Sequence, residues 1–119
     1  MISLERHGRC RGVRVRFFSR QIELWFCPKW FLIKPHIHQS IDSFIIQLWG
    51  RAIWTVKNTS REVLGPFRKR ESTGELAWAA AEIPAGVKHS ALTKSFCVFL
   101  NIERCHGEHV SASEDFIPA

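Results

Sequence analysis

Residues 35–50 read "PHIHQSIDSFIIQLWG", and the fold turns on this stretch. Pro35 biases Lys34 toward an extended conformation, which keeps the histidines after it in a strand or strand end. Alternate side chains of a strand share a face, so His36 and His38 point the same way. A polar break comes next, then an apolar run through Phe44-Ile45-Ile46 that stops at Gly50. Residues 43–49 and 51–57 pair naturally as a hairpin around that glycine.

The rest of the chain repeats this texture of short strands and turn signals. "RGVRVRFFS" (11–19) alternates Arg with Val, the pattern of a half-exposed strand. "QIELWFC" (21–27) and "KWFLIK" (29–34) are apolar on both faces and are interrupted by Pro28, which marks a bulge or corner. "REVLG" (61–65), "KHSAL" (88–92) and "SFCVFLNI" (95–102) read as further strands. In "LAWAAAEI" (76–83) the alanines favour a helix by propensity. Trp78 within that run and Pro84 just after it weigh the other way, and the segment is read as a strand. Eight to ten short strands without a long amphipathic helix mean an all-β sandwich or barrel.

At 119 residues the chain is one domain by length. It divides into a basic N-terminal arm or edge strand (1–20), a β-barrel (21–110) and a polar C-terminal tail (111–119). The formal charge is +6, and six of the 17 basic residues fall within the first 20 positions. Arg9, Arg11, Arg14 and Arg16 suit contact with a polyanion or a neighbouring subunit, or simply a solvated edge that discourages aggregation. No helix-turn-helix, zinc-finger or RNA-binding signature accompanies them, so sequence-specific nucleic-acid reading is not expected. The beginning of the chain lacks the apolar stretch of a signal peptide, and no apolar run approaches a membrane span. The expected location is therefore cytoplasmic, or a virus particle if the chain is a component of one. Cys10, Cys27, Cys97 and Cys105 show no CxxC spacing and read as reduced thiols.

Two neutral imidazoles two apart on a strand can chelate one ion of Zn, Fe, Ni or Cu type. A second stretch, "EIPAGVKHSAL" (82–92), places His89 just beyond a Pro84–Gly86 turn. HxH followed about fifty residues later by PxGxxH resembles the paired motifs of the cupin superfamily. His36, His38 and Gly50 fall on the first motif; Pro84, Gly86 and His89 fall on the second. The resemblance covers residues 29–103 and implies a single-domain cupin-type jelly roll, all-β, as barrel or sandwich. The departures are specific. Ser43 stands where the family has its glutamate ligand, with Asp42 one place earlier and facing the other way. Trp30 and Trp78 replace two glycines, and Thr93 replaces an asparagine.

The resemblance implies that His36, His38 and His89 converge inside the barrel on one divalent metal, with Fe, Zn, Ni and Mn not distinguished. Without a carboxylate among its ligands, such an ion keeps its full +2 charge. Ser43 is a pocket candidate, and Gln47 shares its period-2 face. Cys97 and Phe99, on the following strand, are also inward candidates, with Cys97 expected to be structural. Two clusters read as solvated loops: "CHGEH" (105–109), with Cys105, His106, Glu108 and His109, and "FRKRE" (67–71). Three functions fit: a metal-dependent dioxygenase or isomerase for a small polar or anionic molecule; a non-catalytic binding cupin; or a structural jelly roll, for example in a phage particle. The strands near 21–33, apolar on both faces, suggest that a second subunit covers the outer sheet, and a dimer through that sheet is also what the resemblance implies.

Overall fold

The computed structural model describes residues 2–18, 20–65, 68–69, 76–77, 79–105 and 116–118. Among these the only regular elements are strands: β1 (Ile2–His7), β2 (Cys10–Phe17), β3 (Arg20–Cys27), β4 (Leu32–His38), β5 (Ile41–Trp49), β6 (Arg51–Val56), β7 (Thr59–Leu64), β8 (Arg68–Lys69), β9 (Leu76–Ala77), β10 (Ala79–Ile83), β11 (His89–Thr93), β12 (Cys97–Cys105) and β13 (Phe116–Pro118). The propensity conflict over the alanine run resolves toward strand. Ala79–Ile83 pairs with β5, where tertiary pairing outweighs the helical preference of alanine.

The strands form two antiparallel sheets, with β8 and β9 as a separate pair. One sheet has six strands in the order β1-β2-β3-β12-β5-β10, and the other five in the order β13-β4-β11-β6-β7. This is the expected all-β jelly roll. Residues 2–17 supply β1, one edge of the larger sheet, and β2 beside it. Gly50 turns β5 into β6 with φ of 83°, and a side chain there would run into the Phe96 carbonyl. Trp30 keeps a positive φ of 61°, so the position where the resemblance expects glycine retains the glycine-like backbone.

The core lies between the sheets around Trp54, Phe99, Ile45, Val63, Ile83 and Ala91. Trp54 and Phe99 meet edge to face with centroids 5.6 Å apart. Within the six-stranded sheet, β3 and the C-terminal part of β12 depart from the usual binary pattern. β3 turns Gln21, Glu23, Trp25 and Cys27 inward, while Ile22, Leu24 and Phe26 lie on its outer face. β12 does the same, with Asn101 and Glu103 inward and Val98, Leu100 and Ile102 outward.

The cysteine expectation is corrected by this register. Antiparallel pairing of β2 with β3 sets Cys10 opposite Cys27, Cα atoms 4.4 Å apart, and the two form a disulfide. Spacing along the chain could not show it, because the pair is created across strands. Cys97 is a buried free thiol and Cys105 a half-buried one.

Candidate metal centre

The triad is assembled by one strand pairing and one turn. β11 runs antiparallel to β4 with His89 opposite His36, and His38 lies two residues further along the same face of β4. The turn at 84–86 is tied down on two sides. Gly86, with φ of 79°, donates its N–H to the His38 carbonyl at 2.8 Å. The Ala85 N–H donates to Asp42 Oδ1 at 2.7 Å. Asp42 thus faces away from the cavity, as its position in the strand requires, and holds the turn that delivers His89.

The three rings meet, with centroids 4.1 Å apart for His36 and His89, 4.9 Å for His36 and His38, and 5.6 Å for His38 and His89. One nitrogen from each lies within 4.8 Å of the others. His36 Nδ1 bonds the Lys34 carbonyl at 2.7 Å, and His89 Nδ1 bonds the Val87 carbonyl at 3.0 Å. A carbonyl only accepts, so each Nδ1 carries the proton and each Nε2 keeps a lone pair. The same backbone clamp recurs behind the metal-binding imidazoles of many proteins.

Burial sets the charge state. His36 is 7% exposed and His89 5%. Desolvation pushes His89 down to about 4 against its bond to the Val87 carbonyl, with repulsion from His36 and His38 adding to it. His36 is lowered for the same first reason, opposed by the Lys34 carbonyl and aided by His7. Both rings are neutral at pH 7 and present lone pairs. This donor set fits a divalent ion of borderline softness.

The triad opens on a cavity of about 410 Å³ between the sheets. Ser43 lines it and is 5% exposed. Gln47 is inward and fully buried, yet it lies beyond the cavity wall with Nε2 donating to the Trp49 carbonyl at 2.9 Å. It packs the core two positions too far along the strand to reach a ligand. Phe99 lines the cavity, whereas Cys97 is held outside it by the Arg51 and Ser95 carbonyls. Burial raises the Cys97 thiol against those bonds and one from Gln47, which keeps it protonated and structural. Thr93, at the asparagine position, donates to the Pro28 carbonyl at 2.6 Å and accepts from the Phe31 N–H at 2.8 Å, so it pins the turn before β4. The clusters at 67–71 and 105–109, expected as loops, lie largely outside the described residues; of those described, Arg68 and Lys69 are strand residues and Cys105 closes β12 half-buried.

A second polar cluster on the cavity wall escaped the sequence reading. It comprises Glu23, Asn101 and Glu103, with Arg14 and Glu5 from the two N-terminal strands. Arg14, one of the basic stripe, turns inward. Its Nε and Nη2 donate to Glu23 Oε2 at 2.9 and 2.7 Å, and Nη1 lies 3.4 Å from Glu5. The available signal was the i, i+2 spacing of Gln21 with Glu23 and of Asn101 with Glu103.

No protein-family model matches this sequence, and a comparison with curated protein sequences finds no match. Solved structures do match. An RmlC-like cupin from Shewanella frigidimarina superposes with a TM-score of 0.71 at 13% identity, over 90% of this chain and 86% of that one. KdgF from a Halomonas species gives 0.70 at 11%, over 89% and 88%. The cupin domain of Schizosaccharomyces pombe Cnp3 gives 0.67 at 11%, over 87% and 68%. The chain therefore has the cupin fold.

Proposed function

We propose that this cupin-fold chain is a small metalloenzyme. In this reading His36, His38 and His89 hold one divalent ion facing a cavity for a small polar or anionic molecule, with isomerisation or dioxygenation as the reaction classes. The observation that carries it is the convergence of three imidazoles, two of them locked by backbone carbonyls so that Nε2 carries the lone pair. An ion bound there supplies Lewis acidity, undiminished by any carboxylate in its donor set.

The chain's own residues do the rest. The Lys34 and Val87 carbonyls fix two rings in one tautomer and one orientation, so little order is lost when the site fills. Trp25, Trp54, Phe99 and Ile45 wall the cavity with apolar surface, which thins out water and strengthens polar contacts inside. Ser43 contributes a hydroxyl where a carboxylate would have neutralised half of the ion's charge.

Elemental analysis of protein produced in metal-replete medium tests this. One equivalent of metal per chain is expected, falling to background in His36→Ala and His89→Ala while the fold persists by circular dichroism. Metal-free wild-type protein would end the proposal and leave a binding or structural jelly roll.

We also propose that the working form is a dimer through the six-stranded sheet. Ile22, Leu24, Phe26, Val98, Leu100 and Ile102 make its outer face apolar, an arrangement that solvent disfavours. Sedimentation should give twice the chain mass, and Leu24→Lys should shift it to the monomer.

A further inference from the structure

The cavity has an acidic wall that the metal reading leaves unused. Glu103 is 2% exposed and Glu23 4%, and both line the cavity that the triad opens on. Asn101 Nδ2 donates to Oε1 of each at 2.9 Å, so those two oxygens lie at most twice that distance apart. Glu103 sits in register between Gln21 on β3 and Ser43 on β5. It is thus the cross-strand neighbour of the position where the sequence lacks its expected carboxylate.

The charges do not balance if both groups ionise. The ionisable groups turned toward this spot are Glu5 from β1, Arg14 and Arg16 from β2, Glu23 from β3 and Glu103 itself. Gln21, Ser43 and Asn101 are the uncharged polar neighbours. Three carboxyls face two cations: Arg14 is committed to Glu23 and Glu5, and Arg16 donates to Gln21 Oε1 at 3.4 and 3.3 Å. Two carboxylate oxygens repel each other; a proton on one turns the contact into a hydrogen bond. Among the described residues Glu103 Oε2 is buried without a hydrogen-bond partner, so negative charge on it would go uncompensated and the neutral acid is favoured.

We propose that Glu103 is the proton donor of this cavity, a carboxylic acid held by Asn101 and Glu23 that hands its proton to an oxygen of a carbonyl or hydroxy-acid ligand seated toward the three imidazoles. The inference deepens the metalloenzyme reading and rests on it for the placement of the ligand. In the step, the Glu103 O–H bond breaks and an O–H bond forms on the ligand. The electron pair stays on Glu103, which Asn101 Nδ2 stabilises as a carboxylate, and the proton is regained from cavity water. No oxidant or second reactant is needed. The protonation pattern agrees: burial first, then Glu23, holds Glu103 well above the usual carboxylate range against the pull of Gln21 and Arg14. For Glu23 burial acts upward, but the bonds from Glu103, Arg14 and Asn101 and the charge of Arg14 bring it below that range.

Infrared spectroscopy across pH, read on the carbonyl band of protonated carboxyl groups, tests this without any substrate. At neutral pH the folded wild-type protein should show one such band. It should vanish in Glu103→Gln and persist in His89→Ala. In Glu23→Gln its titration midpoint should move to lower pH, because the neighbouring negative charge is gone. On transfer to heavy water the band should shift far faster than the protein unfolds, since Glu103 lines the cavity. Zinc bound at the triad should lower the midpoint in wild type and leave it unchanged in His89→Ala. Absence of the band at neutral pH, exchange only at the rate of global unfolding, or a midpoint indifferent to bound zinc would overturn the proposal. If elemental analysis shows that zinc does not bind, the metal reading fails separately, and the band and its exchange still decide the state and access of Glu103.

Discussion

The two polar walls of the cavity solve one problem in opposite ways. On the five-stranded sheet, burial strips His36 and His89 of charge and leaves each ring a nitrogen lone pair. On the six-stranded sheet, burial and the neighbouring Glu23 raise Glu103, while the bonds from Glu103, Arg14 and Asn101 bring Glu23 below the usual carboxylate range. The first wall needs no counter-charge inside the protein; the second cannot stand without one. The difference teaches where the fold is fragile. The imidazole wall tolerates loss of a member because its rings are neutral, whereas the carboxyl wall is an interlocked set of ions and donors.

The largest expected effect comes from Glu23→Ala. It strips Arg14 of its bidentate partner and Asn101 of an acceptor, and should cost about 3 kcal/mol in chemical denaturation, as loss of one member of a buried pair does. The Arg14 side chain is 19% exposed, which places the cost toward the lower end of that range. A loss as small as that of an ordinary surface substitution would break the contrast between the walls.

A smaller effect sharpens the imidazole side. The His89 value is depressed from 6.5 to about 4 in the folded chain. An unfolded chain therefore takes up a proton between those values that the folded one refuses, and metal-free protein should lose stability as pH falls through that window. His89→Gln should flatten this limb of the stability–pH curve. An unchanged slope would mean that the ring titrates freely and that the wall is not dry.

Legibility followed sequence separation and parity. The triad could be read because HxH has the strand period and because PxGxxH carries its own turn, with Gly86 supplying the left-handed backbone. The carboxyl wall could not. Glu23 and Asn101 are 78 residues apart, and nothing local in "QIELWFC" says which face is inner. The segment reads as apolar on both faces, and it is the structure that turns Ile22, Leu24 and Phe26 out and Gln21 and Glu23 in. The Cys10–Cys27 bridge was hidden for the same reason, being a product of register.

By itself the sequence determined an all-β chain, its strand period, the turns at Gly50 and Gly86, and three histidines of matching face. These are properties of short segments, written in propensity and parity. Only the tertiary structure decided that the larger sheet is apolar outside and acidic within, that Gln47 stops short of the cavity, and that Glu103 stands beside Ser43. Such facts depend on which strands pair and in what register, and that choice is made by the packing energy of the whole chain.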